Sequence, residues 1–340
     1  MCQLFSPYNL FRSFEKFKRG KTNKIKLIEF SIDLEKNIFQ LCKDINSGIY
    51  KPSKPRVFWV KDPKRRRIEA APIRDRIVHH VLNSFLEKHL DKTLIYNSYG
   101  SRKNKGVLAA TKRLNIYFRQ ESKNYSGKIY FLKCDIKKFF DNIDRDLLFS
   151  HLSNEINKIN IEQNEKEMAL KIIKKIIFFN NKNGLPIGNL TSQFFANFYL
   201  NGFDHYVKEK LGVKKYIRYM DDIICVSQNR DYLQSLIPFF KNYLSDNLKL
   251  ELHPQKIKIN SSRSGVDFLG YFLKPHYSII RFKTRKRMIR MLKKTPDDKF
   301  ANKFTGWYGY CKHANEYNFL KPYFKKLSLV SNKHILRTYF

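Results

Sequence analysis

Two acids stand side by side in "KYIRYMDDIICVS", residues 215–227. Apolar and β-branched residues flank Asp221 and Asp222, so the stretch reads as two strands joined by a tight turn, with both carboxylates on one sheet edge. An Asp in a hairpin turn needs no chemistry to explain it. Two adjacent carboxylates do repel each other, however. One or two divalent cations remove that repulsion when a further acid comes from another strand. "LKCDIKKFFDNID", residues 132–144, offers that acid: Asp135 ends an apolar run, and Phe140 follows five residues later. A strand-end acid, a short turn and an aromatic would put a carboxylate and a flat apolar wall in one pocket. Asp141 and Asp144 compete as ligands, but they fall in the turn and helix start that follow, where acids act as N-terminal helix charges, and they are assigned mostly that structural role. Acids on adjacent strands holding two Mg2+, with Mn2+ as a substitute, are the machinery of in-line phosphoryl or nucleotidyl transfer.

The elements that must position these acids alternate between helical and strand patterns. Residues 1–50 carry helical spacing, as in "LEKNIFQLCKDI" (34–45). "RVFWV" (56–60) reads as a strand, and "KDPKRRRIEAAP" as a basic hairpin returning through a second short strand. A helix is expected over 73–90, then a polar loop whose Gly100 and Gly106 permit close backbone approach. A strand is expected over 128–136, one long helical stretch over about 145–180, and a turn and helix from "NKNGLPIGNLTSQ" to about residue 210. "LKLELHPQKIKI" and "GVDFLGYFL" read as strands, and "TRKRMIRMLKK" as a helix.

Bulk composition narrows the partner. The 340 residues hold 67 Lys and Arg against 30 Asp and Glu, a net charge of +37. Such an excess repels itself unless a polyanion neutralises it, which points to nucleic acid. A hydrophobic fraction of 42% with 29 Phe supplies a core and excludes a disordered chain. The five Cys are scattered with no CxxC pair, which excludes a disulfide framework or zinc knuckle. No apolar run reaches the ~18 residues of a membrane helix, and the N-terminus lacks a signal-peptide layout. A soluble cytoplasmic protein is expected.

In order along the chain, "APIRDRIVHHVL", "DIKKFFDNI", "GLPIGNLTSQFFANFYLN", "YMDD", "LELHPQKIKI" and "FLGY" resemble the successive motifs of prokaryotic reverse transcriptases. The resemblance covers about residues 50–275. It implies an α+β right-hand polymerase fold, with an N-terminal helical extension (1–50), fingers (51–130 and 145–183), an antiparallel-sheet palm (131–144 and 184–275) and a short helical thumb (276–340). Asp135, Asp221 and Asp222 become the metal ligands. Phe140 becomes the ring that excludes a ribose 2′-hydroxyl, and Arg67 and Arg74 the contacts to the incoming triphosphate. Lys256 becomes a candidate acid for pyrophosphate, with Lys258 as its competitor. Tyr219 and Met220 lie near the primer end.

Ile187-Gly188 and Ser192-Gln193 depart from the Gln-Gly and Ser-Pro that many reverse transcriptases carry there. The "IGxxxSQ" form resembles the enzymes of diversity-generating retroelements. Those copy a template RNA into cDNA with errors opposite adenines, beside a small, basic, helical, pentameric accessory protein. With Ile187 in place of a polar Gln, a hydrogen bond to the nascent pair is lost and mispairs are penalised less. Gly188 and Gln193 belong to the same substrate contact. The implied ligands are template RNA, nascent cDNA and dNTPs, with no membrane. Length and the absence of "VTG" near the end argue against an intron protein or a retron enzyme, although retron, abortive-infection and intron-like enzymes, or a non-catalytic RNA-binding relic, stay open as alternatives.

Overall fold

The computed structural model describes residues 3–21, 25–61, 65–180 and 183–330. Three helices come first, α1 (Pro7–Lys18), α2 (Ile25–Ile32) and α3 (Leu34–Asn46), then the strands β1 (Arg56–Val60) and β2 (Arg66–Ala70) and helix α4 (Ile73–Leu90). Helix α5 (Val107–Glu121), strand β3 (Tyr130–Asp135) and the single turn α6 (Phe139–Asn142) follow. Helices α7 (Arg145–Asn157), α8 (Gln163–Ile177), α9 (Leu190–Tyr199) and α10 (Asn201–His205) lead to strands β4 (Tyr216–Tyr219) and β5 (Asp222–Ser227). Then come α11 (Arg230–Leu248), β6 (Lys258–Ser261), β7 (Val266–Phe268), β8 (Tyr271–Leu273), β9 (Ser278–Ile280), α12 (Phe282–Lys293), α13 (Asp297–Cys311) and α14 (Tyr317–Val330). The expected hairpin loop at residues 62–64, part of the expected turn at 181–182 and the end of the expected thumb at 331–340 lie outside the described residues.

The chain divides into two compact units. The first comprises residues up to Lys103, Cys134–Ile223 and Leu236–Ile257. Its helical core is α4, packed against α1 and α9. Helix α4 buries residues nearly all round (Ile77, Val78, Val81, Leu82, Phe85 and Leu86) because it has a neighbour on more than one side. Each such side chain contributes about 1.5–3 kcal/mol by leaving water. Pro72 sits at the N-cap of α4, where a missing N–H costs nothing, and so sets the start of the helix.

The second unit comprises Asn104–Lys133, Ile224–Ser235 and Lys258 onward. It holds the three-stranded antiparallel sheet β7-β8-β9 and the helices α12–α14. There Phe304 stacks on Phe300 and meets Phe324 edge-on. Glu316, 2% exposed, accepts from the Ile280 amide and from Arg285.

The strands that carry the acids belong to a four-stranded sheet ordered β4-β5-β3-β6, in which β3 and β6 run antiparallel. The expected long helix over 145–180 is two helices, α7 and α8, broken at residues 158–162. Asn160 favours a break there, and Glu162 at the N-cap of α8 has left the helical region at ψ 138°. "LKLELHPQKIKI" forms mostly an irregular segment: Leu252 bridges Ile136, a single helical turn covers Pro254–Lys256, and the strand begins only at Lys258. Pro254 has no N–H for a ladder, so a continuous strand cannot pass through it.

Candidate active site

Asp221 lies in a two-residue turn, Met220-Asp221, between β4 and β5. Met220 adopts φ +53°, the left-handed region that a non-glycine residue enters at a cost. Gly100 backs this turn. A Cβ on Gly100 would come within 2.9 Å of the Met220 backbone nitrogen and 2.8 Å of its Cγ. The close approach expected at Gly100 is therefore to the turn that carries Asp221.

Asp135 ends β3. Its carbonyl accepts from the His253 amide (2.7 Å), and the next residue, Ile136, donates to the Asp221 carbonyl (3.3 Å). Asp135 and Asp221 are thus neighbours through the backbone. Burial first, then the carboxylates of Asp222 and Asp135, push the Asp221 carboxyl up to about 6, and Lys256 pulls it back. Lys256 reaches Asp135 directly, Nζ to Oδ1 at 2.7 Å. Lys258, the first residue of β6, instead stands opposite Lys133 of β3 in the sheet register. Among the described residues, no group of three His, Cys, Asp or Glu side chains is already gathered about one metal position. The donor chemistry nonetheless fits a hard cation: oxygen ligands, mutual repulsion among three acids, and an ammonium already standing at one of them.

Between β3 and α6 the chain turns through Lys138 at φ +47° and presents Phe140, half-buried and edge-on to Phe139 (centroids 5.6 Å apart). Asp144 caps α7 by accepting from Leu147 N (2.9 Å) and also binds Lys249, which is the structural role expected of it.

A strap from Gly184 to Gly188 ties this turn to β2. Leu185 N donates to Phe140 O (2.8 Å), and Glu69 N donates to Ile187 O (2.8 Å). Gly188, at φ +128°, lies where a Cβ would meet Ile68 Cγ2 at 2.8 Å. Ile187 and Gly188 are therefore brought together with β2 and, through the strap, with Phe140. On α9, Gln193 is exposed and accepts from Ser101 Oγ (3.0 Å), one residue from Gly100. Tyr219 and Met220 are half-buried at the turn.

The two arginines part company. Arg67, on β2, pairs with Glu69 and stays 38% exposed. Arg74 donates to Asp44 Oδ2 (2.6 Å) and lies over the Tyr50 ring (4.9 Å), which ties α4 to α3 and the segment behind it.

Two residues escaped the sequence reading. Arg218 and Asp204 are both fully buried and form a forked ion pair, with Nε to Oδ1 at 2.7 Å and Nη2 to Oδ2 at 2.6 Å. The available signal was a guanidinium inside the apolar strand "YIRYM".

A profile of the family described as reverse transcriptase (RNA-dependent DNA polymerase) matches residues 51–273. The chain belongs to that family. Curated relatives include the putative COX1/OXI3 intron 2 protein of Saccharomyces cerevisiae, 24% identical and covering 86% of this chain and 39% of the yeast protein. The group II intron-encoded protein LtrA of Lactococcus lactis is 24% identical over 78% of this chain and 53% of its own length. The retron Ec83 reverse transcriptase of Escherichia coli is 27% identical over 50% of this chain and 56% of its own. This reverse-transcriptase chain thus spans about half or less of the length of the yeast and Lactococcus proteins. Among solved structures, the Candida albicans telomerase in complex with a fragment of telomeric RNA superposes with a TM-score of 0.52 at 12% identity, over 73% of this chain and 51% of the telomerase. That likeness, with the mixed helices and antiparallel sheet, is the right-hand polymerase fold that the motifs implied. No helix among the described residues is long and apolar enough to cross a membrane.

Proposed function

We propose that this chain is an RNA-templated DNA polymerase that copies a retroelement template RNA into cDNA, with errors concentrated opposite template adenines. The polymerase reading rests on one observation above others: the backbone brings Asp135, at the end of β3, beside the turn that carries Asp221 and Asp222, where burial first and the neighbouring carboxylates second lift Asp221 to about 6. Asp135, Asp221 and Asp222 would hold the cations. Two Mg2+, if held there, would supply the Lewis acidity that nucleotidyl transfer to a primer 3′-hydroxyl requires. Lys256, released from Asp135, donates a proton to that pyrophosphate. The Phe140 ring fills the space of a 2′-hydroxyl, so DNA is the product. Arg67 exchanges Glu69 for the triphosphate, while the pairing of Arg74 with Asp44 and Tyr50 supports a structural role for that residue. Tyr219 and Met220 border the primer end, and Ile187, Gly188 and Gln193 border the nascent pair.

We assign the fingers to 51–130 and 145–183, the palm to 131–144 and 184–275, the thumb to 276–340 and a helical extension to 1–50. The partners are template RNA, cDNA and dNTPs, with a small basic accessory protein bridged to this chain by RNA or by local acidic patches. An A-form template–primer duplex would be held through phosphates and 2′-hydroxyls.

A second reading, an intron- or retron-type element, is favoured by the likeness to LtrA and to the retron Ec83 enzyme. Primer extension on a mixed-sequence RNA template, with Asp221→Asn as control, followed by cDNA sequencing, separates the two. Errors piled opposite adenines, and a changed spectrum in Ile187→Gln, support the mutagenic reading. Accurate cDNA supports the second. No product with wild-type protein overturns both.

A further inference from the structure

Arg218 makes more contacts than an ion pair requires. Beyond the fork on Asp204, its Nη1 donates to Met220 O (3.1 Å), and its Nη2 donates to Ser98 Oγ and Asn197 O (3.1 Å each). Asp204 also accepts from the Tyr216 hydroxyl (2.6 Å). Asn197, 1% exposed, completes the cluster: its Nδ2 donates to Gly100 O (3.0 Å), and its Oδ1 accepts from Ser98 Oγ (3.0 Å). The backbone repeats the connection, since Arg218 N donates to Asn97 O and Tyr99 N to Arg218 O. One buried polar cluster therefore joins α9, α10, the 97–100 loop and β4. Two of its bonds reach the turn that carries Asp221: Arg218 Nη1 to the carbonyl of Met220, and Asn197 Nδ2 to the carbonyl of Gly100, which backs that turn.

Stability alone does not account for such a cluster. Replacing a buried ion pair by apolar side chains of similar volume is often neutral or stabilising, because desolvation offsets the attraction. What only a guanidinium supplies is several N–H groups in a fixed plane, aimed at several acceptors at once. Met220 needs such a restraint, because φ +53° is a conformation it leaves readily.

We infer that the buried Arg218–Asp204 pair is a positioning device for the catalytic turn. Asp204 fixes the guanidinium plane, and the guanidinium holds the Met220 carbonyl, so that the left-handed turn keeps Asp221 and Asp222 aimed. Gly100 packs against the same turn, where a Cβ would meet the Met220 backbone nitrogen at 2.9 Å. The inference rests on the polymerase reading for its catalytic consequence, but not for its structural one.

Arg218→Lys tests it. The ammonium keeps the charge partner of Asp204 but cannot span both Asp204 and the Met220 carbonyl. A misplacement near 1 Å costs about 100-fold in rate. The expected result is kcat for nucleotide addition down by roughly 10- to 100-fold, with dNTP KM and RNA–primer Kd within about threefold. Amide hydrogen exchange over residues 220–223 should accelerate. Tyr199→Phe, which removes the buried bond to Leu248 O, serves as the control: it lowers the melting temperature and leaves kcat unchanged. An Arg218→Lys enzyme with wild-type kcat and exchange overturns the inference, as does a kcat loss that Tyr199→Phe reproduces at equal destabilisation. If Arg218→Lys does not fold, Gly100→Ala displaces Met220 without touching the ion pair. Wild-type kcat and exchange in that variant overturn the inference equally. A wild-type protein that extends no primer defeats the polymerase reading alone, because the exchange of the turn still reports what Arg218 does.

Discussion

Replacing Gly184 by Ala should do far more damage than an exposed turn glycine normally permits. Gly184 sits at φ +71°, and a Cβ there would lie 2.5 Å from Asp141 O and closer still to Phe140 O. Both obstacles are backbone, so no rotamer change relieves them. The left-handed conformation costs about 1–2 kcal/mol for a residue with a Cβ. Forcing a methyl into filled space adds about 1–3 kcal/mol. The sum, about 2–5 kcal/mol, is a large part of the ~5–15 kcal/mol that holds a domain folded. Gly212 is the internal comparison: it has φ +63° with nothing within 4 Å, so Gly212→Ala incurs only the first cost. Urea unfolding of the two variants reads the difference. The functional consequence follows from the Leu185 N–Phe140 O bond, which the shifted strap would break. Phe140 then loses its support, and primer extension should discriminate less between dNTPs and rNTPs. Equal urea midpoints for Gly184→Ala and Gly212→Ala would refute the reasoning, as would unchanged sugar selectivity in a destabilised Gly184→Ala.

The raised Asp221 carboxyl, about 6 against an ordinary 3.8, makes the native metal-free protein hold a proton that the unfolded chain lacks between those values. On this account stability falls as pH rises from about 4 to about 6, and Asp221→Asn should raise the urea midpoint at pH 7 in EDTA; a lowered midpoint would sink the account. Arg74→Ala should destabilise by roughly 1–2 kcal/mol through the lost Asp44 pair and Tyr50 stacking while dNTP KM stays within about twofold, whereas Arg67→Ala should raise that KM; the reverse pattern in steady-state kinetics would return Arg74 to the triphosphate. RNA affinity should fall by powers of ten between 50 and 200 mM salt, as several released counterions require, and a flat response in filter binding would exclude a phosphate-tracking groove.

The nearness of Asp135 to the Asp221–Asp222 turn was legible in the sequence because acids at the ends of apolar, β-branched runs mark strand ends that one sheet can bring together. Helix α4 was legible for a similar reason, since Pro72 and the apolar positions of 73–90 are local signals. The break between α7 and α8 was less so, because both helices carry apolar residues at helical spacing and the segment between them is only five residues long. Arg218 and Asp204 were opaque for a different reason. A charge in an apolar strand announces that a partner exists but not where it lies, and Asp204 is 14 residues away on another element. The contacts of Arg74 were equally hidden: its motif position suggests phosphate, while Asp44 belongs to a helix that lies outside the motif-bearing region.

The distribution of acids gives the net charge its meaning. Glu69, Asp75, Asp204 and Glu316 are all buried, and each is committed to an internal partner: Arg67, the Tyr50 hydroxyl and Ser53 amide, Arg218, and Arg285 with the Ile280 amide. Asp135 is held by Lys256, and Asp144 by its own helix and Lys249. Among the buried charged residues, acids outnumber arginines, with Arg218 the only fully buried cation described. The positive excess is therefore displaced outward, and the surface is more basic than +37 over the whole chain implies. A few acids are kept inside as hydrogen-bond acceptors that fix geometry, and three more stand where they repel one another. The first group fixes local geometry within its own unit, and under the proposed function the second would be relieved by cations. The outer charge then attracts the polyanion on which those cations would act. Salt should accordingly affect the free protein and its RNA complex in opposite directions, relieving self-repulsion in one while screening attraction in the other.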